Sequence, residues 1–508
     1  MWKPCAVLLF LLAALPESAC QAQQPAEVRA AAVAGQFYPA DPTELAAAVD
    51  GLIARADVPR IPGVVALIAP HAGYAYSAGV AAHAYALLKG RRFERVVVIS
   101  PSHIDAFPFS AVYDGGAYAT PLGHIPVDRD FASALVKSAK LIQLSGRGHR
   151  PAAGRAEHAL EVQLPFLQVA LGRFRLVPVV MGDQSYDACR ALGLALASNI
   201  KGGDTLIIAS SDLSHYHPYN DAVALDRGAL RAIEEYDYLS LWRNLQQRVW
   251  EACGGGPIVA AMIAAEKLGA TRARLLKYAN SGDVTGDRSQ VVGYGAVAIY
   301  RDQEAGSEPG PGVTLNRDEK AELFRIARHS VETAVREHKL PEVSSPRLAA
   351  LSQERGAFVT LKLHGQLRGC IGYVSPVKPL ALTVRDVAAS AAVEDSRFPP
   401  VSVSELQSLE YEISVLSPMH HVQDPKEIQI GRDGLLIRQG RHEGLLLPQV
   451  PVEQRWDRTA FLDQTCRKAG LLEDCWKDSR TDIFRFSALV LDERESQPAA
   501  PEPGKRLP

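Results

Sequence analysis

Short, uninterrupted apolar segments rich in β-branched residues recur along residues 27–301 and constrain the fold of this chain more than any other feature. The clearest are Val64 to Ala69, Val96 to Ser100, Leu176 to Val180 and Thr205 to Ser210, with helical stretches such as Glu44 to Arg55 and Glu157 to Leu171 between them. Strands buried on both faces lack polar alternation in this way. The pattern predicts an α/β fold, a mainly parallel sheet covered by helices, with ligands bound beyond the carboxyl ends of the strands.

Bulk composition defines the broad class of protein. The 508 residues include 55 Lys and Arg against 57 Asp and Glu, a formal charge of −2, and 47% of the residues are hydrophobic. A chain this apolar and nearly neutral is globular, and its charge does not favour nucleic acid as a partner. The length suits two large domains or three smaller ones.

A change of composition separates a second domain from the first. Periodicity ends near Arg301, where Gly, Pro and charged residues collect, and residues 302–315 are predicted to be a linker. A helix follows, with Asn316 as its N-cap and Glu319 at the third helical position. Strand-like segments lie at Phe358 to Leu363, from Leu367 onward, and at Leu409 to Leu416, Leu435 to Arg438, Leu445 to Leu447 and Ile483 to Leu491. They predict an α+β domain over residues 316–492 that moves independently of the first, and a disordered tail at 493–508.

The amino terminus is typical of an export signal. Lys3 precedes the apolar run from Ala6 to Leu15 and small residues follow, so residues 1–22 are predicted to be a signal peptide cleaved after Ala22. The sequence before and including Cys20 also resembles a lipobox, which leaves a lipid anchor on Cys20 as the alternative. No later segment has the length and apolarity of a transmembrane helix. We expect an exported protein, periplasmic or lipid-anchored at the membrane surface.

Two cysteines in the second domain leave an alternative open. Cys466 and Cys475 are close in sequence, so in an exported protein they would form one bridge or remain two buried thiols.

Histidines follow three of the predicted buried strands. His71, His103 and His215 each lie within a few residues of a strand end. Because parallel strands end at the same edge of a sheet, all three are expected there together. Three repetitions of one position are hard to attribute to packing, and imidazole is a common ligand of iron, copper and zinc. The pattern predicts a metal site at this edge.

Cys253 is the candidate for a further ligand. It lies on a glycine turn just before the helical run Ile258 to Leu268, where a helix N-terminus would lower the pKa of a thiol. Asp212 would either orient an imidazole or cap a turn. His158 and Glu161 are three residues apart on a predicted helix, where they would line the site or form a surface pair.

Several motifs of the first domain resemble those of a known family. They are Gly35-Gln36-Phe37-Tyr38-Pro39, Pro70-His71-Ala72-Gly73-Tyr74, Pro101-Ser102-His103, His158-Ala159-Leu160-Glu161, Ser210-Ser211-Asp212 with His215, and Cys253-Gly254 with Pro257-Ile258. Together they resemble the Memo family, which implies a fold similar to class III extradiol ring-cleaving dioxygenases and a mononuclear metal pocket. The resemblance implies the metal ligands His71, His103 and Cys253, with His215 as the nearby acid/base histidine. Asp212 is the further candidate catalytic residue, and the candidate pocket residues are Tyr74, Ser102, His158 and Glu161.

The second domain resembles the AMMECR domain. Its motifs are Leu367-Arg368-Gly369-Cys370-Ile371-Gly372, Glu394-Asp395-Ser396-Arg397-Phe398-Pro399-Pro400, Leu446-Leu447-Pro448-Gln449-Val450, and Trp456-Asp457 with Lys468-Ala469-Gly470-Leu471. That family implies no agreed activity. Arg368, Cys370 and Arg397, with Asp395 as partner, would form a basic cleft around a reactive thiol. The alternative is a packed hairpin with Arg397 paired to Asp395.

Both domains in one chain match the AmmeMemoRadiSam system, whose third member is a radical S-adenosylmethionine protein. No CxxxCxxC cluster motif is present here, so that partner would act in trans. The expected function is that of an exported metal-dependent oxidoreductase, similar to the dioxygenases, with iron or copper and a small-molecule or peptide substrate. The alternative is a metal-free binding module whose histidine-lined pocket takes an anionic peptide or small molecule. In a third interpretation the AMMECR domain supplies the function and the Memo domain is a scaffold.

Overall fold

A computed structural model describes residues 27–152, 154–302, 313–343 and 348–493. The predicted signal peptide, with Cys20, and nearly all of the predicted linker and tail lie outside these residues. Within the described ranges, no helix has the length and apolarity needed to cross a bilayer.

The first domain alternates strands and helices. Its strands are β1 (Val28–Arg29), β2 (Val64–Ala69), β3 (Arg95–Pro101), β4 (Ser110–Val112), β5 (Ala117–Thr120), β6 (Gly123–Pro126), β7 (Ile142–Leu144), β8 (Arg175–Met181), β9 (Thr205–Ser210), β10 (His215–His217), β11 (Arg272–Asn280) and β12 (Val291–Tyr300). Its helices are α1 (Pro42–Arg55), α2 (Tyr74–Ala86), α3 (Arg129–Ser138), α4 (Leu164–Leu171), α5 (Tyr186–Asn199), α6 (Tyr219–Glu234), α7 (Tyr238–Gln246), α8 (Gly255–Lys267) and α9 (Ser281–Thr285).

A nine-stranded sheet forms the centre of this domain, in the order β10-β12-β2-β9-β3-β8-β4-β7 with β11 beside β12. Strands β2, β9, β3 and β8 are mutually parallel, and the antiparallel pairs lie toward the edges. In β3, Val97 and Ile99 pack in one core with α3 and α5 to α8, while Val96 and Val98 pack in the other with α1, α2 and α4. The α/β prediction is confirmed, because uninterrupted apolar strands here do have helices on both faces.

One predicted helix is shorter than expected. Helix α4 begins only at Leu164, where Pro165 suits the first helical turn, and a 3-10 turn covers Glu161–Gln163. The preceding residues from Glu157 are irregular because their polar groups bind distant segments: Arg29 donates to the Glu157 carbonyl at 2.6 Å, and the Glu161 carboxylate accepts the Val33 amide at 3.0 Å. Tertiary hydrogen bonds override the helical periodicity in this segment.

The second domain is α+β, as predicted. Its strands are β13 (Ala357–Leu363), β14 (Gln366–Tyr373), β15 (Leu409–Leu416), β16 (His420–His421), β17 (Asp433–Gln439), β18 (His442–Leu446) and β19 (Asp482–Asp492), and its helices are α10 (Arg317–Glu337), α11 (Leu380–Val393), α12 (Gln449–Glu453) and α13 (Arg458–Lys468). The sheet is antiparallel in the order β14-β13-β15-β19-β17-β18, with β16 beside β19. Asn316 and Glu319 form a reciprocal capping box at the start of α10. Cys466 and Cys475 are joined by a disulfide, so the bridge prevails over two free thiols.

The two domains pack against each other. Met419, Phe484 and other apolar side chains of the second domain share one core with α5, α6 and α7 of the first. Polar contacts cross the same boundary: Arg190 pairs with Asp482 at 2.8 Å, and the Met419 amide donates to an Asp237 carboxylate oxygen at 3.0 Å. The expectation of two independently moving domains is contradicted by this packing, since an apolar interface favours a fixed arrangement.

Candidate metal centre

The sheet topology brings the predicted histidines to one edge. His71 follows β2, His103 follows β3, and His215 begins β10 after β9 has ended. Strand β9 lies between β2 and β3, so the three strand ends are consecutive in the sheet. The edge is the carboxyl end of the parallel strands, where α/β sheets bind ligands.

Three nitrogen and sulfur donors converge at this edge. One potential ligand atom each from His71, His103 and Cys253 lies within 4.8 Å of the other two. The Cys253 sulfur is 3.1 Å from Nε2 of His71, and the His71 and His103 rings are 5.2 Å apart between centroids. Two imidazoles and one thiolate form a donor set suited to borderline and soft transition metals.

The surroundings of His71 determine its tautomer. Its Nδ1 is 2.9 Å from the Ser210 hydroxyl, which donates to the Ala159 carbonyl at 2.7 Å and accepts from the Gln163 amide at 2.7 Å. Because the hydroxyl proton is already engaged, Nδ1 carries the proton and Nε2 keeps its lone pair. Burial, reinforced by the charges of His103 and His158, lowers the pKa of His71 well below its ordinary value. The ring is therefore neutral and able to bind a cation through Nε2.

His103 is held by a buried carboxylate. Its Nδ1 lies 3.0 Å from Glu157 Oε1, and its amide donates to the other oxygen of the same side chain. Burial of Glu157 opposes ionisation, but the hydrogen bonds and charge of His103 outweigh it and lower the pKa of Glu157 to about 2. A carboxylate behind an imidazole orients the ring and raises its basicity, which is a recurrent arrangement at metal sites.

Asp212 holds the backbone of the loop after β2. One of its oxygens accepts the His71 amide at 2.7 Å and the Ala72 amide at 3.3 Å, while the other is 4.0 Å from His71 Nε2. Of the two roles left open for this residue, the structure favours capping the turn. Glu157 and Ser210 orient the imidazoles instead. Burial raises the pKa of Asp212 to about 6 despite these hydrogen bonds.

Cys253 is brought to the site by a close backbone contact. A Cβ on Gly254 would lie 2.2 Å from the Ser210 carbonyl oxygen, so only glycine allows this turn to approach the end of β9. The expected lowering of the thiol pKa is wrong for the metal-free protein: desolvation, reinforced by the charge of Asp212, raises the pKa of Cys253. Because both effects oppose ionisation, the thiol keeps its proton unless a cation is bound.

His158 belongs to the site but Glu161 does not. The His158 ring stacks on His103 at 5.0 Å and lies edge-on to His71 at 5.4 Å, with Phe37 at 4.6 Å on another side. Burial lowers the pKa of His158 to about 4. Glu161 is fully buried and binds Arg29 and the Tyr38 hydroxyl instead. The surface-pair alternative is wrong because Glu161 is buried and its carboxylate is bound by Arg29 and Tyr38.

Two further predicted pocket residues have structural partners. The Tyr74 hydroxyl donates to the Val162 carbonyl at 2.9 Å, and the Ser102 hydroxyl donates to the Asp105 carbonyl at 2.6 Å. Their polar groups are occupied in shaping the loops after β2 and β3.

A cavity of about 790 Å³ lies between the domains, and a smaller one of about 440 Å³ lies beside the candidate metal centre. His215, Cys253, Gln184, Trp242, Arg248 and Glu251 are among the residues that line the smaller cavity. His215 donates from Nδ1 to the Leu213 carbonyl at 2.8 Å, which leaves Nε2 as a proton acceptor. The predicted acid/base histidine and the predicted thiol ligand therefore share one cavity.

The residues around Cys370 do not form a basic cleft. Arg397 pairs with Asp395 at 2.6 Å, and Arg368 pairs with Glu405 at 2.7 Å. The Cys370 amide donates to Asp395 at 2.8 Å. Both guanidinium charges are neutralised, so the structure favours the packed hairpin over a reactive thiol.

Sequence reasoning missed the residues that support the ligands. Glu157 and Ser210 bind the two Nδ1 atoms, and Gln163 completes the hydrogen bonds of Ser210. Ser210 ends β9 and opens the Ser210-Ser211-Asp212 motif, and Glu157 directly precedes the His158-Ala159-Leu160-Glu161 motif. Their position beside the predicted histidines was the available signal.

The fold and site define a class: an α/β protein with a two-histidine, one-cysteine centre at the carboxyl edge of its sheet. The Memo-like protein family model matches residues 29–298, over half of the chain, and the AMMECR1 model matches residues 324–491. The chain belongs to the Memo-like family and carries an AMMECR1 domain after the Memo-like domain.

Individual relatives are each similar to a part of the chain. The MEMO1 family protein MK0963 of Methanopyrus kandleri is 39% identical over 288 residues, covering 54% of this chain and 99% of the relative. Protein TK0174 of Thermococcus kodakarensis is 47% identical over 188 residues, covering 35% and 92%. Among solved structures, uncharacterized protein PH0010 from Pyrococcus horikoshii is 41% identical and covers 34% of this chain and 89% of that chain, with a TM-score of 0.32.

Proposed function

We propose that the Memo-like domain is a mononuclear metal-dependent oxidoreductase that binds iron or copper through His71, His103 and Cys253. The observation that carries this proposal is the convergence of the three donor atoms within 4.8 Å, with both Nδ1 atoms already engaged elsewhere. A packing role would not need two imidazoles, each oriented through its Nδ1, to converge on one thiol.

The donor set fits a redox metal. Thiolate is a softer ligand than the carboxylate of a two-histidine, one-carboxylate iron site, so copper is as good a candidate as iron. When bound, the metal would supply one-electron chemistry and Lewis acidity at a position that three protein ligands leave accessible. Ring cleavage is an analogy from the family's fold, and we propose the broader class of oxidoreductase.

The chain's own residues supply proton transfer and a binding space. His215 presents Nε2 as a general base while Leu213 holds the other nitrogen, and the ring lines the same cavity as Cys253. The cavity of about 440 Å³ suits a small molecule or the side chain of a peptide. Trp242 and Trp250 contribute aromatic surface to its lining.

We further propose export of the protein, to the periplasm or to a lipid anchor at Cys20. The Cys466–Cys475 disulfide supports this, because such bonds persist in oxidising compartments outside the cytosol. A radical S-adenosylmethionine protein remains a proposed partner in trans, supported by the pairing of the Memo-like and AMMECR1 domains in one chain.

The test is elemental analysis of the mature protein purified without oxygen and reconstituted separately with Fe(II) and Cu(I). Near-stoichiometric metal is expected in the wild type and little in the His71→Ala/His103→Ala double variant. The matched control is His124→Ala, which removes an exposed histidine on β6. Oxygen uptake with candidate reductants would follow.

A wild-type protein that stays metal-free after reconstitution would contradict the proposal. The histidine-lined pocket would then be better explained as a binding module for an anionic peptide or small molecule. Metal retained in the double variant would place the ion elsewhere and contradict the ligand assignment.

A further inference from the structure

A clamp formed by one side chain fixes both ends of the turn that carries Cys253. Gln184 lies between β8 and α5, and its side-chain nitrogen Nε2 donates to the main-chain carbonyl of Cys253 at 3.0 Å. Its side-chain oxygen Oε1 accepts a hydrogen bond from the main-chain N–H of Gly256 at 2.6 Å. A Cβ on Gly256 would lie 2.8 Å from the Gln184 side chain, so the two residues are packed too closely for any larger residue at position 256.

Gln184 is itself held by the elements next to it. The Trp242 indole of α7 donates to the Gln184 carbonyl at 3.3 Å. The following residue, Ser185, caps the N-terminus of α5 by accepting the Ala188 amide at 3.3 Å. The position of Gln184 therefore depends on where α5 and α7 lie.

The AMMECR1 domain contacts these same two helices. The Arg438 guanidinium of β17 lies over the Tyr186 ring of α5 at 4.6 Å and over the Trp242 ring of α7 at 4.8 Å. Asp482 of β19 accepts from Tyr186 at 3.2 Å and from Arg190 at 2.8 Å. The Arg438 guanidinium also pairs through Nη1 with Glu443 at 3.5 Å, while its buried Nε has no hydrogen-bond partner and lies among the ring contacts.

We propose that the AMMECR1 domain positions Cys253, by fixing Trp242 and the N-terminus of α5 through Arg438 and thereby fixing the Gln184 clamp. Gln184 and Arg438 are positioning residues in this scheme. The second domain would thus be a built-in support of the site in the first. The effect of this positioning on metal binding rests on the metal site proposed above. The contacts of Gln184 with the Cys253 turn are present in the metal-free chain.

The test measures the reactivity of the Cys253 thiol toward an aromatic disulfide reagent in the metal-free, full-length mature protein. A Cys370→Ser background removes the other accessible thiol, since Cys189 is buried and Cys466 is bridged to Cys475. Gln184→Ala and Arg438→Ala are each expected to raise the rate constant about fivefold or more, as a loosened turn exposes the sulfur.

The matched control is Arg355→Ala. It breaks another interdomain ion pair, with Glu235 at 2.8 Å; within the part of the chain that the structure describes, neither side chain hydrogen-bonds to α5, α7 or Gln184. Its rate is expected to stay within about twofold of wild type. If Arg355→Ala and Arg438→Ala accelerate the reaction equally, general loosening explains the effect and the proposal is wrong. Wild-type rates in Arg438→Ala, with a fast Gln184→Ala, would confine the support to the first domain and overturn the interdomain part.

Arg438→Lys provides a second variant in case alanine disrupts folding, because lysine keeps the charge but loses the planar contact with both rings. It is expected to accelerate the reaction less than alanine, and unchanged melting curves would show that the fold is intact. Metal affinity by chelator competition is the second readout, with Arg438→Ala weakened about fivefold. Absence of metal from the wild type would refute the proposed function alone, and the thiol rates would still decide the positioning.

Discussion

Two clusters in this chain each place a cysteine beside charged residues named by family motifs, and they differ in how their polar atoms are used. Around Cys370, Asp395 accepts from the cysteine amide and from Arg397, and Arg368 pairs with Glu405. The charged groups satisfy one another.

Around Cys253, the supporting residues take only one nitrogen of each imidazole. Ser210 engages Nδ1 of His71 and Glu157 engages Nδ1 of His103. The remaining donor atoms converge with the thiol. A binding site is therefore marked by donor atoms that the protein orients toward a common point through bonds to other atoms of the same side chains. A cluster of reactive residue types without that feature can be structural.

The largest expected contrast is between the two cysteines. Cys253→Ser is expected to weaken metal binding about 100-fold or more, because a hydroxyl is a poor ligand for a soft metal. Cys370→Ser is expected to leave metal affinity unchanged. Chelator competition on the reconstituted proteins measures both. An equal loss in the two variants would remove the distinction between the clusters.

Glu157→Gln extends the comparison to a residue outside the proposed ligand set of His71, His103 and Cys253. The amide retains the shape of the side chain but loses the charge that makes the His103 ring more basic, so metal affinity should fall about 10- to 100-fold. Glu405→Gln, which breaks the Arg368 pair in the other cluster, is the control and should retain wild-type affinity. A normal affinity for Glu157→Gln would show that its contact with His103 serves only folding.

Asp395→Asn tests the structural role of the second cluster. The hydrogen bond and charge of Arg397, together with the Cys370 amide, outweigh burial and lower the pKa of the Asp395 carboxyl. Removing that charge from a nearly buried site should cost about 2 kcal/mol of unfolding free energy. Urea denaturation measures this loss, and metal content should be normal. Lost metal binding with unchanged stability would reverse the assignment.

Sequence patterns predicted what depends on local order. The uninterrupted runs from Val64 and Val96 correspond to β2 and β3, because their periodicity reports burial on both faces. The capping box at Asn316 was predictable because it needs only two residues three positions apart. The proximity of His71 and His103 followed from strand ends in a parallel sheet.

Contacts between residues far apart in the chain could not be predicted from these local patterns. The orientation of Glu157 depends on an irregular segment held by Arg29, which is more than a hundred residues away in the chain. The contact of Arg190 with Asp482 joins two domains, and nothing near either residue in the sequence indicates the other. For the same reason the helical spacing of His158 and Glu161 was misleading: their environment is set by distant partners.

The smallest effect on metal binding concerns His149, a buried histidine in the Memo-like domain whose two ring nitrogens are both engaged. Nε2 donates to the Ala111 carbonyl at 3.0 Å, and Nδ1 accepts from the Tyr118 hydroxyl. Burial, partly opposed by the bond to Ala111, lowers the pKa of His149 from 6.5 to about 3. By the criterion of uncommitted atoms it is structural, and His149→Gln should retain metal binding.

His149 should also contribute to the pH dependence of the free energy of unfolding. Between pH 6.5 and about 3 the unfolded chain binds a proton at this residue and the folded chain does not, so stability falls as the pH is lowered through that range. The slope attributable to one such group is at most about 1.4 kcal/mol per pH unit. Urea denaturation of wild type and His149→Gln at several pH values isolates it, since other titrating groups are common to both. Parallel curves would mean that His149 takes up a proton as readily in the folded chain as in the unfolded one, and the criterion would then fail for a histidine it classifies as structural.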